Sequence, residues 1–89
     1  MIRTQITIIN KLGLHARAAA KFVACASAFS SNIQAGVDGP LVDAKSIMQV
    51  MMLAAAKGTV LDIQVEGSDE QAALDALEAL INNRFDEPE

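Results

Sequence analysis

The chain has little of what stabilises many small proteins. Its 89 residues include one cysteine, three phenylalanines, no tryptophan and no tyrosine. The lone Cys25 excludes an internal disulfide and a multi-cysteine zinc site, and it favours a reducing compartment. Because 52% of the residues are apolar and only 3% are aromatic, the core has to be built from alanine and aliphatic side chains, with methionine.

Long apolar runs and excess positive charge are also absent. No run approaches the ~18 residues of a membrane span, and Met1 to Gln5 lack the apolar stretch of a secretory signal. The formal net charge of −4 disfavours a general attraction to nucleic acid or anionic membranes. We therefore expect one cytoplasmic domain over residues 1–89, with proteins or small molecules as partners and with no nucleic acid or membrane among them.

Apolar periodicity predicts seven elements. Alternation predicts strands at about 3–9, 32–37, 41–43 and 61–66, and Asp38-Gly39 is a hairpin turn signal. Stripes at three- and four-residue spacing predict helices at about 16–29, 46–57 and 68–85. The second and third helices begin with capping-box pairs, Ser46 with Gln49 and Ser68 with Gln71, and the tail from residue 86 is predicted to be solvated.

The order strand, helix, strand, strand, helix, strand, helix predicts the architecture. At least three strands have polar residues on their second face, so we expect helices on one side of the sheet and solvent on the other. The predicted fold class is α+β, an open-faced two-layer β-sandwich. In it, three helices cover one face of a four-stranded antiparallel sheet.

The only histidine, His15, lies where a glycine-containing loop enters the first helix. Free backbone N–H groups and the positive dipole end make a helix start an anion site, and neutral imidazole is a nucleophile. Arg17 offers planar donors for phosphate oxygens, and Lys21 would add positive charge if its face turned toward the site. His15 is thus a candidate for attack on a phosphoryl group, although a lone histidine there is more often an ordinary cap or surface residue.

Two segments resemble a known family. Gly13–Ala18, GLHARA, is similar to the active-site signature of the HPr family, the histidine phosphocarriers of the bacterial phosphotransferase system. Ala44–Met48, AKSIM, is similar to the regulatory-serine segment of the same family, and the resemblance extends over essentially the whole chain. The chain departs from the family at Ala18, where many members have proline, and at Gln49, where glycine is common. We expect a slightly less rigid helix start with the chemistry retained.

The resemblance implies a role for each site residue. His15 would accept a phosphoryl group on Nδ1 from Enzyme I and pass it to an Enzyme II A-component, without a metal or cofactor. Arg17 and the backbone N–H groups of Ala16 and Arg17 would hold the phosphate. Ser46 would be phosphorylated by HPr kinase, besides capping the second helix. The candidate partner-binding residues are Ile47, Met48 and Met51, although apolar residues at helical spacing are more often part of a core.

Several alternatives remain open. Within the family, a sugar-uptake carrier and a nitrogen-related NPr-type regulatory carrier are both compatible with the sequence, because residues 82–87 resemble a longer C-terminus found in both groups. A rival of another class is an interaction module whose His15 is never phosphorylated. Nucleic-acid binding is disfavoured by the acidic charge and by strands without stacking aromatics. We expect a monomer, with HPr kinase/phosphorylase as a further partner.

Overall fold

Strands and helices follow one another in the predicted order. The computed structural model describes residues 1–89. The elements are β1 (Ile2–Thr7), α1 (Ala16–Ser27), β2 (Asn32–Gly36), β3 (Val42–Asp43), α2 (Ile47–Met52), β4 (Val60–Glu66) and α3 (Glu70–Asn82), followed by a turn at Arg84–Asp86. None of the three helices has the length and hydropathy that a membrane span needs.

The four strands form one antiparallel sheet in the order β1-β4-β2-β3. Along the central strand β4, alternate residues are buried beneath the helices, and Asp62 and Gln64 between them point to the other face. On that face the amide of Gln5 donates to Asp62, and the amide of Gln64 donates to Gln34. One face is therefore apolar and covered, and the other is polar, which confirms the predicted open-faced sandwich.

Small side chains make up a large part of the core. Phe22, Ile63 and Leu77 are fully buried among six alanines with no exposed surface, Ala18, Ala19, Ala26, Ala35, Ala44 and Ala73. Because alanine fills little volume, it allows a helix to approach its neighbours closely at these positions. The core is otherwise mostly isoleucine, leucine and valine, as the composition predicts, together with Phe22 and Phe85. All four methionines are exposed, so the prediction that methionine contributes to the core is wrong.

The second helix is shorter than predicted. α2 ends at Met52, because Ala54 adopts a φ of 50° that a right-handed helix does not allow. Oγ of Ser46 caps the helix by accepting the backbone N–H of Gln49 at 3.4 Å, as expected. The side chain of Gln49 accepts from the backbone N–H of Asp43 instead, so the capping box is only half formed.

The third helix begins at Glu70, with Asp69 rather than Ser68 at the N-cap position and with no side-chain cap. The predicted capping box at Ser68 is therefore wrong. The Asp69 carboxylate accepts from the backbone N–H and hydroxyl groups of both Ser30 and Ser31. These bonds, that of the Ser31 hydroxyl above all, lower the pKa of Asp69 from 3.8 to about 2. Asp69 thus fastens the α1–β2 connection to the start of α3.

Candidate functional site

His15 is the N-cap residue of α1. Its backbone is extended, with φ −71° and ψ 177°, so the chain turns into the helix at this point. Nδ1 of the ring accepts the backbone N–H of Arg17 at 3.3 Å, the position that a capping hydroxyl or carboxylate oxygen usually occupies. A nitrogen that accepts this bond has no proton, so the neutral ring has its proton on Nε2. The side chain is 29% exposed, which leaves it accessible.

Gly13 determines how the loop before His15 packs. Its φ is +67°, and an added Cβ would clash with the carbonyl oxygen of Ala55 and lie 2.9 Å from Cα of Ala56. The next residue, Leu14, donates its backbone N–H to the same Ala55 carbonyl at 2.8 Å. Glycine is required because both the left-handed backbone and the close approach exclude a side chain. This contact places His15 relative to the segment that follows α2.

A carboxylate lies on the other side of the His15 ring. Oε2 of Glu87 accepts from Nε2 of His15, and Oε1 accepts from Nδ2 of Asn10 at 2.9 Å. The Glu87 side chain is only 12% exposed. The Asn10 hydrogen bond is the main cause of a lowered pKa of Glu87, with burial opposing it and with His15 and Arg17 lowering it further. The prediction of a solvated tail is wrong at this residue.

An unusual turn brings Glu87 back to the site. Arg84, Phe85 and Asp86 have φ values of 57°, 53° and 64°, all in the left-handed region. The Phe85 side chain is fully buried, and its carbonyl accepts from Nζ of Lys21 at 2.9 Å. Lys21 therefore holds the tail and does not turn toward His15. A large aromatic residue in a polar tail was the one sequence signal that this segment is anchored.

An open cleft of about 660 Å³ contains the predicted phosphate-site residues His15, Ala16 and Arg17. It is lined by Lys11, Leu12, His15, Ala16, Arg17, Glu87, Pro88 and Glu89. Ala16 and Arg17 are exposed in the first turn of α1, where backbone N–H groups lack helical acceptors. No group of three or more histidine, cysteine or acidic side chains is arranged to hold a metal ion. The cleft thus combines an imidazole, a guanidinium and N–H donors, which are the groups that recognise a phosphate.

The predicted residues of α2 lie outside the cleft. Ser46 is half-buried at the start of that helix. The exposed fractions of the apolar side chains are 40% for Ile47, 69% for Met48, 41% for Met51 and 79% for Met52. These four residues form an exposed apolar surface, called the α2 patch below, and only Val50 of this helix is buried. Ile47 and Met51 therefore contribute less to the core than their helical spacing suggests.

Comparisons with known proteins agree with this architecture. The family model for the PTS HPr component phosphorylation site matches residues 2–83, so Glu87 lies outside the matched residues. The phosphocarrier protein HPr of Pseudomonas aeruginosa is 60% identical over 86 residues, which are 96% of each chain. That of Cupriavidus necator is 55% identical over 89 residues, covering 100% of both chains.

Solved structures show the same fold. The crystal structure of HPr-C-His from Thermoanaerobacter tengcongensis has a TM-score of 0.95 and 47% identity, covering 100% of both chains. An HPr dimer from the same organism has a TM-score of 0.78 and 48% identity, covering 98% of this chain and 100% of that one. On the strength of the family match, the curated relatives and the shared fold, the chain belongs to the HPr family, the phosphocarriers of the phosphotransferase system.

Proposed function

We propose that His15 accepts a phosphoryl group from Enzyme I and passes it to an Enzyme II A-component. The orientation of the imidazole ring is the observation that supports this most. Nδ1 faces the start of α1 and accepts the Arg17 N–H, while Nε2 is bound to Glu87. An attacking Nδ1 lone pair therefore lies beside the donors that a phosphate needs.

The His15 ring does not lose a proton in the transfer step. The bond between phosphorus and the donor atom breaks, and the Nδ1 lone pair forms the new P–N bond, while Nε2 keeps its proton. The Arg17 N–H that now binds Nδ1 is then free for a phosphoryl oxygen, together with the N–H of Ala16. The exposed Arg17 guanidinium in the same cleft supplies a planar pair of donors. Phosphoryl transfer depends mainly on such positioning and charge stabilisation.

The α2 patch is the proposed docking surface for the partner proteins. Ile47, Met48 and Met51 are exposed, and flexible methionines adapt to partners of different shape. The Gly13 loop packs on Ala55, three residues after α2, so the patch is connected to the site by a short stretch of chain. Shift mapping by NMR with Enzyme I and with an A-component tests this, and perturbations that spare the α2 patch would contradict it.

Ser46 is the proposed regulatory site, phosphorylated by HPr kinase/phosphorylase. A phosphate adds nearly two negative charges beside the exposed Met48. We expect it to weaken docking of an apolar or acidic partner surface rather than to unfold α2, since anions are favourable at helix starts. Mass measurement after incubation with that kinase, for the wild type and Ser46→Ala, tests the assignment.

The carrier proposal is tested with phosphoenolpyruvate and Enzyme I. We expect one acid-labile phosphoryl group on the wild type and none on His15→Ala. Arg17→Ala should slow onward transfer strongly and lower the free energy of unfolding only slightly, because the Arg17 side chain is exposed and contributes little packing. A wild type that stays unlabelled, while a control carrier is labelled, would contradict the proposal. It would favour the interaction module whose His15 is never phosphorylated.

Two further expectations accompany this function. A carrier supplied from phosphoenolpyruvate works in the cytoplasm, and complete sugar permeases in the source organism would separate the sugar-uptake branch from the NPr-type branch. We expect a monomer in solution. Because a matched structure from T. tengcongensis is an HPr dimer, sedimentation equilibrium of the unmodified protein is the appropriate measurement.

A further inference from the structure

Glu87 is connected both to the ring of His15 and to the loop that supports it. Asn10 is fully buried, and its side-chain amide donates one proton to the carbonyl of Gly13 and the other to Glu87, each at 2.9 Å. The second carboxylate oxygen accepts from Nε2 of His15. Glu87 therefore completes a chain of hydrogen bonds that runs from the loop, through Asn10, to the ring.

We propose that Glu87 is a positioning residue for phosphoryl transfer, which fixes the His15 proton on Nε2 and so leaves Nδ1 as the nucleophile. The proposal rests on the proposed function of His15. Histidine rings are commonly held in one tautomer by a carboxylate on the nitrogen that does not react. Here the second hydrogen bond, from Arg17 N–H to Nδ1, selects the same tautomer from the opposite side of the ring.

A carboxylate suits this position better than an amide would. Glu87 uses Oε1 for Asn10 and Oε2 for His15, so both oxygens act as acceptors at the same time. A glutamine has one oxygen acceptor and one NH₂ donor, so it can serve Asn10 or His15 but not both. Replacing Glu87 by glutamine therefore changes the hydrogen bonding while it leaves the size of the side chain nearly unchanged.

The same contact acts on the onward transfer. Once Nδ1 carries the phosphoryl group and Nε2 keeps its proton, the ring is positively charged and the ionised Glu87 stabilises that charge. When the P–Nδ1 bond breaks, its electron pair returns to Nδ1 and the leaving group is neutral imidazole. If Nε2 had lost its proton, imidazolate would have to leave, which is a much poorer leaving group. Glu87 thus favours both the loading and the unloading of His15.

The backbone conformation of the tail places the Glu87 side chain beside His15. The three left-handed residues Arg84–Asp86 reverse the chain, and the buried Phe85 holds the reversal in place. Left-handed backbone is unfavourable for residues with a side chain, so it persists where other contacts enforce it. A freely solvated tail would have no need of such a turn.

The experiment compares Glu87→Gln with Glu66→Gln in the full chain. Glu66→Gln removes the same charge, but this side chain is exposed at the end of β4, outside the cleft that contains His15. ¹⁵N NMR of the His15 ring reports the tautomer without any phosphorylation, and rapid-quench assays with Enzyme I and an A-component report the loading and unloading rates. Thermal unfolding of both variants checks that the fold is intact.

We expect the wild type and Glu66→Gln to show the Nε2–H tautomer and similar rates. Glu87→Gln should show a mixture of tautomers and rates lower by about 10-fold to 100-fold, which is the range typical of losing a partner that orients a metal-bound histidine. Equal tautomers and equal rates in a labelled wild type and Glu87→Gln would overturn the proposal while the carrier function stands. A wild type that is not labelled would overturn the carrier function itself, and the transfer role of Glu87 with it.

Discussion

At the scale of single residues, Gly13 shows how a missing side chain determines a site. Two separate constraints meet there, a φ of +67° and the close approach of the Ala55–Ala56 backbone. Gly67 also combines a positive φ, +156°, with a close approach to Ser31, whereas two other glycines have only one of these features or neither. Gly58 has a φ of +89° with open space around it, and Gly39 has no atom nearer than 3.9 Å to an added Cβ. Gly58 and Gly39 can therefore serve as controls for Gly13.

Alanine at these three glycines should give a graded loss of stability. Gly39→Ala should have little effect, and Gly58→Ala should cost about 1–2 kcal/mol for its left-handed backbone. Gly13→Ala should cost about 1–3 kcal/mol beyond that, because the Ala55 and Ala56 backbone must move to admit a Cβ. Urea unfolding measures all three, and a Gly13→Ala loss no larger than that of Gly58→Ala would show that the contact with Ala55 is not restrictive.

At the scale of elements, the tail depends on an anchor. Arg84, Phe85 and Asp86 form a turn in which each residue is left-handed, and Phe85 fills a fully buried position. The carbonyl of the same residue is bound by Lys21 from α1. The position of Glu87 beside His15 follows from these contacts rather than from any preference of the tail itself.

Removing the anchor should release the tail. Phe85→Ala should lower the free energy of unfolding by about 3–5 kcal/mol, the usual cost of emptying a buried aromatic site. It should also free Glu87, so that the ¹⁵N tautomer signature of His15 changes. Phe29→Ala is the matched control, because Phe29 is only partly buried and lies far along the chain from Glu87. Equal losses of unfolding free energy and equal tautomer signatures in Phe85→Ala and Phe29→Ala would contradict the anchoring role of Phe85.

Local signals predicted most of the elements, and long-range contacts account for the rest. Alternation in β4 and the stripe in α3 follow directly from one buried face, so their apolar residues could be assigned from the sequence. The early end of α2 could not, because it depends on Ala54 entering left-handed backbone where the chain turns toward Gly13.

The candidate site was predictable on one side only. His15, Ala16 and Arg17 are neighbours in sequence, and the cleft contains all three. Glu87 pairs with His15 across 72 residues, and no spacing rule reaches that far. The same holds for Asp69, whose partners are the serines 38 and 39 positions away rather than the first turn of its own helix.

At the scale of the whole molecule, Asp69 fastens the two halves of the chain together. Its carboxylate holds Ser30 and Ser31 from the first half against the start of α3 in the second. Because the folded pKa lies near 2 and the ordinary value is 3.8, the folded state binds this proton less tightly than the unfolded state does. The stabilisation is present above pH 3.8 and is lost as the pH falls through about 2.

Asp69→Asn should therefore flatten the acid limb of the stability curve. We expect it to be less stable than the wild type at neutral pH, with the difference shrinking between pH 3.8 and about 2. Urea unfolding across this range measures it. Asp38→Asn, which removes one charge from the exposed hairpin turn, separates the effect of net charge from that of the serine hydrogen bonds. A difference from the wild type that does not vary with pH would contradict the assignment.

The six fully buried alanines have a consequence for how this molecule tolerates change. An alanine has little volume to lose, whereas any methylene added at these six positions must displace a neighbouring helix or strand. In natural and in directed evolution alike, replacement of these alanines by larger side chains is therefore expected to be selected against. Substitutions are therefore expected to accumulate on the outer faces of the helices and on the uncovered face of the sheet. The interface between the two layers is expected to change little.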